Sequence, residues 1–236
     1  MSPQQSEHIV SSYEEELGQL AHAISEMGGE AEAAITNATR ALLRLDGDLA
    51  RATIARDKAI DGMQRRIDER AVSIIARRQP MASDLRAIIT AIHVAGDLER
   101  VGDMAKTISR RALQIEGLRL SPKFYNGVKH MSDLILRQLK AALDAYATRD
   151  AAAAIAVCND DEEVDTLYTS LFRELLTYMM EDPRNITQCT HLLFCSKSLE
   201  RVGDHATNIA EHAYYLETGQ QVAAGIEELH RTQVKE

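Results

Sequence analysis

The chain has 236 residues, 45% of them hydrophobic, and a formal net charge of -9 from 36 acidic against 27 Lys and Arg residues. That surplus of carboxylates weighs against a general nucleic-acid binder, which needs cations to neutralise phosphates. Four Pro, no Trp and few aromatics, with abundant Ala, Leu, Ile, Arg and Glu, predict an all-α protein of one large or two small domains.

Residues from Met1 through Glu16 form a polar, acidic start without an apolar signal region, and no run of 18 apolar residues follows. A cytoplasmic protein with no direct membrane insertion is therefore expected. The first helix is predicted from about Glu7 to Leu45, with Ile24, Met27, Ala31, Ala34, Ile35, Ala38 and Leu42 at helical spacing. Asp46-Gly47-Asp48 ends it, and Asp48 is the expected cap of a second helix running to about Arg78. Pro80 breaks the chain, and Ser83 is the expected cap of a third helix that lasts until Gly117. Ser121-Pro122 starts a fourth, which ends near Thr148. Asp150 caps a fifth that stops at Glu181-Asp182-Pro183, and a sixth reaches Gly219. The residues beyond it read as a polar tail, a weak helix at best. Cys158, Cys189 and Cys195 are odd in number, and the last two fall inside the sixth helix; they read as small core residues in a reducing compartment.

Long helices joined by short turns pack as antiparallel bundles, and the two halves of this chain match. Ile60, Met63, Ile67, Ala71, Ile74 and Ile75 form one stripe of the second helix; 104 residues later stand Val164, Leu167, Leu171, Leu175, Tyr178 and Met179, all apolar. Leu98-Glu99-Arg100-Val101-Gly102-Asp103 recurs letter for letter as Leu199-Glu200-Arg201-Val202-Gly203-Asp204, 101 residues on. The expected architecture is an internal duplication: two pseudo-symmetric three-helix bundles, residues 1–118 and 119–219, and a tail over 220–236.

Each repeated segment puts two carboxylates four residues apart, on one face of a helix. Like charges so placed cost an isolated helix about 0.2–0.5 kcal/mol, and more when buried unpaired. Glu99 and Asp103 fall in phase with Leu85, Ile88, Ile89 and Ile92, and Glu200 and Asp204 with Ile186, Cys189 and Leu193. The shift of 104 also carries Asp57 onto Asp161 and Asp61 onto Asp165, a second pair at the edge of the stripe in each half. Four carboxylates on two adjacent helices suit a divalent or trivalent cation with oxygen ligands. Asn208 extends the second row with an amide oxygen, where the first has Thr107. The alternative is a solvated acidic face, each Glu neutralised by the adjacent Arg100 or Arg201. His93, His191, His205 and His212 lie off the rows and read as flank residues. Gly102 and Gly203 are helix-interior glycines that only a close neighbour, helix or metal, would explain.

These residues resemble the PhoU family, accessory regulators of bacterial high-affinity phosphate transport. The likeness spans nearly the whole chain. It rests on Ala76-Arg77-Arg78-Gln79-Pro80 leading into Ser83-Asp84-Leu85-Arg86, on both Leu-Glu-Arg-Val-Gly-Asp segments, and on Leu176-Thr177-Tyr178-Met179-Met180-Glu181-Asp182. The resemblance implies two three-helix bundles about a pseudo-twofold, with metal clusters on the bundle surface. It carries the ligand role onto Asp57, Asp61, Glu99 and Asp103 in the first bundle, and onto Asp161, Asp165, Glu200 and Asp204, with Asn208 beside them, in the second. The oxygen-rich donor set itself favours a hard ion such as Mg, Mn, Ca or iron, and Mg, Mn, Fe or Zn are the candidate ions. The implied role is that of a non-enzymatic negative regulator of phosphate uptake and of the phosphate-starvation response. Its implied partners are the ATPase of a phosphate ABC transporter and a sensor histidine kinase, and a homodimer is expected.

Two other functions compete. A di-metal carboxylate oxidase would need a Glu-x-x-His motif from each of two helices; the one match, Glu227-x-x-His230, falls in the tail. A purely structural helical scaffold would keep the acidic faces bare. No phosphate-cradling Gly-rich loop and no nucleophile matched with a base occurs in the sequence.

Overall fold

The structure, a computed structural model, describes residues 3–115 and 123–222, with side chains from residue 13 onward except those of 123, 124, 161 and 162. The first bundle is α1 (Pro3–Arg44), α2 (Gly47–Arg78) and α3 (Ala82–Gln114). The second is α4 (Lys123–Thr148), α5 (Ala151–Asn159), α6 (Asp161–Glu181) and α7 (Ile186–Thr218), with a single 3-10 turn, Pro183–Asn185, before the last helix. The expected boundary near residue 118, most of the tail and the Glu227-x-x-His230 motif lie outside the described residues.

Local chemistry repeats between the halves. Leu45 and Arg149, 104 residues apart, both turn through a left-handed backbone. The Asp after each caps the next helix: Asp46 accepts from the Leu49 N–H and Asp150 from the Ala153 N–H, both at 2.9 Å. The cap of α2 is thus Asp46 rather than Asp48, because α1 already ends at Arg44 and Gly47 is the first helical residue. Ser83 is likewise not the cap of α3, which begins one residue earlier behind Met81, without a side-chain cap.

The expected fifth helix is divided at Asp160. Its N–H is shared between the carbonyls of Ala156 and Val157, which tightens the turn. Four consecutive acids, Asp160 through Glu163, favour a fresh helix N-terminus over a helix interior, where their charges would crowd.

Burial follows the predicted stripes. Ile60, Ile67, Ala71 and Ile74 are buried on α2, as are Val164, Leu171 and Leu175 on α6. They close on Ile24, Met27, Ile35 and Leu42 of α1 in one bundle, and on Met131, Ile135 and Leu139 of α4 in the other. Each such aliphatic side chain contributes about 1.5–3 kcal/mol by leaving water. The phase reading fails near the hairpin tips, where Leu85, Ile89 and Ile186 are exposed. Cys189 and Cys195 are buried, and none of the three cysteines is in a disulfide. Burial pushes the Cys195 thiol up to about 12, so it is unreactive packing.

The bundles join through α3 against α7 and α1 against α4. The α3–α7 crossing displays the pseudo-twofold: His93 stacks on His212 at 5.0 Å, and Arg111 lies over the Phe194 ring at 4.2 Å. A shift of 101 turns His93 into Phe194 and Arg111 into His212, so one contact is the symmetry partner of the other, filled with different chemistry. Between α1 and α4, the buried Ser132 hydroxyl donates to Thr39 Oγ1 at 3.0 Å. The halves also differ in length, since α1 extends well beyond its counterpart α4. In that extension Glu16 takes two hydrogen bonds from Arg78, both at 3.1 Å.

Candidate functional site

In the first bundle α2 and α3 run antiparallel, so Asp57 and Asp61 face Glu99 and Asp103 across a seam. Ile60 lies over Gly102 here; a Cβ at that glycine would stand 3.0 Å from Ile60 Cδ1. The missing side chain is what lets the two helices close. Asp57 is 5% exposed, Glu99 and Asp103 are half-buried, and Asp61 is partly covered. Burial first, and then the Asp103 carboxylate, push the Glu99 carboxyl above its ordinary range; Arg100 opposes them, while Asp61 and Asp57 add to the rise. The other three acids therefore lie within electrostatic reach of Glu99.

The group that answers this charge is one the sequence reading passed over. Lys106, one turn beyond Asp103, places Nζ 2.5 Å from Asp57 Oδ2 and 3.5 Å from Asp103 Oδ1. Its hydrogen bond to Asp57 holds the ammonium above its ordinary range. Arg100, the neutraliser expected from sequence, stays mostly in solvent, 3.5 Å from Glu99 and 3.8 Å from Asp103.

The second seam, between α6 and α7, has the same backbone and other occupants. Val164 and the Gln138 amide press on Gly203, the counterparts of the Ile60–Gly102 contact. Glu200 is 8% exposed and accepts from Lys197 Nζ at 2.6 Å through Oε1. Lys197 in turn lies over the Tyr168 ring at 5.4 Å. Glu200 Oε2 is shut off from solvent with no hydrogen-bond partner. Asp204 and Asp165 are exposed, and the Asp161 side chain is outside the described residues. Asn208 turns away from the row and donates to Asp97 Oδ1 at 3.3 Å.

Asp97, which nothing in the sequence singled out, is the hub of a cluster where the bundles meet. His205 Nδ1 is 2.9 Å from Oδ1 and His212 Nε2 is 3.4 Å from Oδ2. Burial works against its ionisation, but the hydrogen bonds from His205, His212 and Asn208 outweigh burial and lower the carboxyl to about 2. The four histidines thus remain off the acidic rows, with His205 and His212 bound to Asp97 and His93 stacked on His212. Lys106 could have been found from its spacing, three residues after Asp103. Asp97 could not, because its partners lie more than a hundred residues away.

As the side chains stand, no three Asp, Glu, His or Cys groups among the described residues converge closely enough to hold a metal ion. The donor chemistry nonetheless suits one in the second seam: oxygen-rich, with a buried carboxylate oxygen lacking a partner. A groove of about 560 Å³ between α1 and α2, over Met63 and Ile67 and flanked by Arg66 and Arg70, includes none of the acidic-row residues.

Fold and seams together define a class: duplicated all-α proteins of two helical bundles, with facing carboxylate pairs on two helices of the first. The family model described as "PhoU domain" matches twice, over residues 24–112 and 128–213. The chain is 53% identical over 214 residues to a phosphate-specific transport system accessory protein PhoU homolog of Rhizobium meliloti, covering 91% of this chain and 90% of that one. It is 47% identical over 218 residues to the homolog of Caulobacter vibrioides, covering 92% and 95%. The crystal structure of PhoU from Pseudomonas aeruginosa superposes with a TM-score of 0.84 at 43% identity, over 88% of this chain and all of that one. The phosphate transport system regulatory protein PhoU from Streptococcus pneumoniae gives 0.82 at 31% identity, over 89% and 98%. The chain belongs to the PhoU family. Its relatives are named as accessory and regulatory proteins, not as enzymes, and no described helix is long and apolar enough to cross a membrane.

Proposed function

We propose that this protein is a negative regulator of phosphate uptake and of the phosphate-starvation response, acting by contact with the ATPase of a phosphate ABC transporter and with a sensor kinase. The observation that carries the reading is family membership over both halves of the chain, with relatives named for the phosphate-specific transport system. The exposed apolar residues at the hairpin tips, Met81 and Leu85 in one bundle and Met180 and Ile186 in the other, are consistent with work done through protein contacts. The protein would act at the cytoplasmic face of the membrane without entering it, as a homodimer.

Metal binding belongs to the same proposal. In the second bundle Glu200 and Asp204 from α7, with Asp161 and Asp165 from α6, would hold a Mg, Mn, Fe or Zn ion. The partnerless Glu200 Oε2 is the feature that favours it. Such an ion would supply charge to hold the two helices together, and its binding free energy would add to folding stability. The di-metal oxidase alternative finds no support in the rows, whose nearest histidine, His205, is bonded to Asp97.

Deleting the gene is expected to raise phosphate-starvation gene expression in phosphate-rich medium and to disturb phosphate uptake. Complementation with Glu200→Gln/Asp204→Asn tests the metal: the purified variant should carry less metal and melt lower than the parent at equal metal supply. Unchanged expression, uptake and polyphosphate in the deletion strain would overturn the regulatory reading; unchanged metal occupancy in the variant would overturn the ligand assignment.

A further inference from the structure

We infer that the two acidic seams are not equivalent sites: the first bundle carries its own cation, the tethered ammonium of Lys106, and only the second is open to a metal ion. Three observations combine. Lys106 Nζ sits between the two helices of the first seam, bonded to Asp57 of α2 and reaching Asp103 of α3, which is the bridge a bound cation would make. The residue 101 positions later is Thr207, a neutral side chain that accepts from Gln138 Nε2 at 3.3 Å, so the second seam has no ammonium at that place. The lysine of the second seam, Lys197, approaches from the other end, bonds Glu200 through Oε1, and leaves Oε2 buried and unpartnered.

The electrostatics follow from charge and burial. Asp57 is nearly as buried as a core residue, and a carboxylate so placed needs a counter-charge at contact distance. A lysine provides one charge and at most three N–H donors along fixed directions. It answers Asp57 and Asp103 but leaves Glu99 crowded by its neighbours, in keeping with the raised Glu99 carboxyl. A multivalent ion entering this seam would meet the ammonium at close range and would have to expel it first. The Lys106 head group is therefore an internal substitute for metal, keeping the first bundle closed whatever the metal supply, while the second bundle responds to it. This inference rests on the metal reading above only for the second bundle; the role of Lys106 stands or falls separately.

The test uses the full chain, stripped of metal with a chelator and titrated with Mn²⁺ alone, following Tm and the Mn²⁺ bound. In metal-free buffer Lys106→Met should lower Tm by about 3–6 °C, while Lys106→Arg should retain most of it. Added Mn²⁺ should restore the loss in Lys106→Met and roughly double the Mn²⁺ bound at saturation relative to the parent. That gain should vanish when Glu99→Gln/Asp103→Asn is added to Lys106→Met. The same double change in the Lys106 parent should leave Mn²⁺ binding unaltered. If Lys106→Met does not fold, Lys106→Gln, which keeps an N–H donor for Asp57, replaces it. A fall in Mn²⁺ binding when Glu99 and Asp103 are changed beside an intact Lys106 would overturn the inference. So would a Lys106→Met protein that takes up no additional Mn²⁺. A parent that binds no Mn²⁺ would overturn the metal reading of the second bundle, while uptake by Lys106→Met would still sustain the role given to Lys106.

Discussion

In the first bundle the cation that meets the acidic row comes from Lys106, three residues after Asp103; in the second it comes from Lys197, three residues before Glu200. The positions are not related by the internal repeat: Lys106 corresponds to Thr207, and Lys197 to Gly96. What the duplication has kept is geometry. Gly102 under Ile60 and Gly203 under Val164 both let a neighbouring side chain press on the helix, and Asp46 and Asp150 start equivalent helices with matching caps. What it has changed is charge. The same separation appears where the bundles meet, with two histidines and Asp97 on one side of the pseudo-twofold and Arg111, Phe194 and Ser198 on the other. Packing is shared between the halves because both must bury the same surface; electrostatics is free to diverge once the backbone is fixed.

The sharpest way to break this comparison is to remove the shared packing. Ile60→Ala and Val164→Ala each delete methyl groups pressed on the equivalent glycine, at sites only 2% exposed. Losses of about 3 kcal/mol and about 2 kcal/mol are expected, the difference following the volume removed. Urea unfolding of the two variants would measure both. A negligible loss in either would mean that its seam is not closed by the contact described.

The next test compares a charged interface position with its neutral counterpart. Asp97→Asn should cost about 1–2 kcal/mol at pH 7, since three hydrogen bonds hold the Asp97 carboxyl down to about 2. Because the folded carboxyl is depressed, its contribution is complete above the ordinary aspartate value and is lost as pH falls toward 2. The gap between parent and variant should therefore close over that interval. Ser198→Ala, the equivalent position in the other half, removes only a hydroxyl that donates to the Phe194 carbonyl one turn back, and should cost under about 1 kcal/mol at every pH. Equal losses with equal pH dependence would show that the divergence at this interface has no energetic content.

Sequence periodicity carried most of the fold and only part of the site. Helix spans, the repeat and the apolar stripes of α2 and α6 are local or repeat-based signals, and the structure follows them except where the expected fifth helix divides. The break at Asp160 was visible in four consecutive acids but lost in an otherwise continuous pattern. Leu85, Ile89 and Ile186 have the right phase for burial and are exposed, because periodicity gives a direction and not what lies in that direction. The facing of the acidic pairs in the first bundle was legible from their common offset. Their counter-ions were legible only in part: Arg100 does pair with Glu99, as the sequence suggests, but the structure also brings in lysines three residues away, whose reach across the seam depends on how closely the helices approach. Asn208 extended the row on paper; in three dimensions the α7 face carrying it meets α3 and Asp97.

The smallest expected effect concerns Glu99 itself and asks whether the first seam is over-supplied with negative charge. Burial and the neighbouring Asp103 raise the Glu99 carboxyl, so the folded protein holds that proton to higher pH than the unfolded chain does. Folding then loses stability as pH rises from the ordinary glutamate value through the raised one, and the whole penalty is present at pH 7. Glu99→Gln keeps the shape and removes the penalty. In metal-free buffer it should stabilise the protein by about 0.3–0.5 kcal/mol at pH 7, the scale of a like-charge pair on a helix. The gain should disappear near pH 4, where the parent carboxyl is protonated. Glu200→Gln should behave in the opposite sense at neutral pH, since it removes a charge that Lys197 holds at 2.6 Å. If Glu99→Gln instead lowered stability at pH 7 in stripped protein, the Arg100 guanidinium 3.5 Å from Glu99 would outweigh burial and the Asp103 charge, and the picture of a first seam over-supplied with negative charge would have to be abandoned.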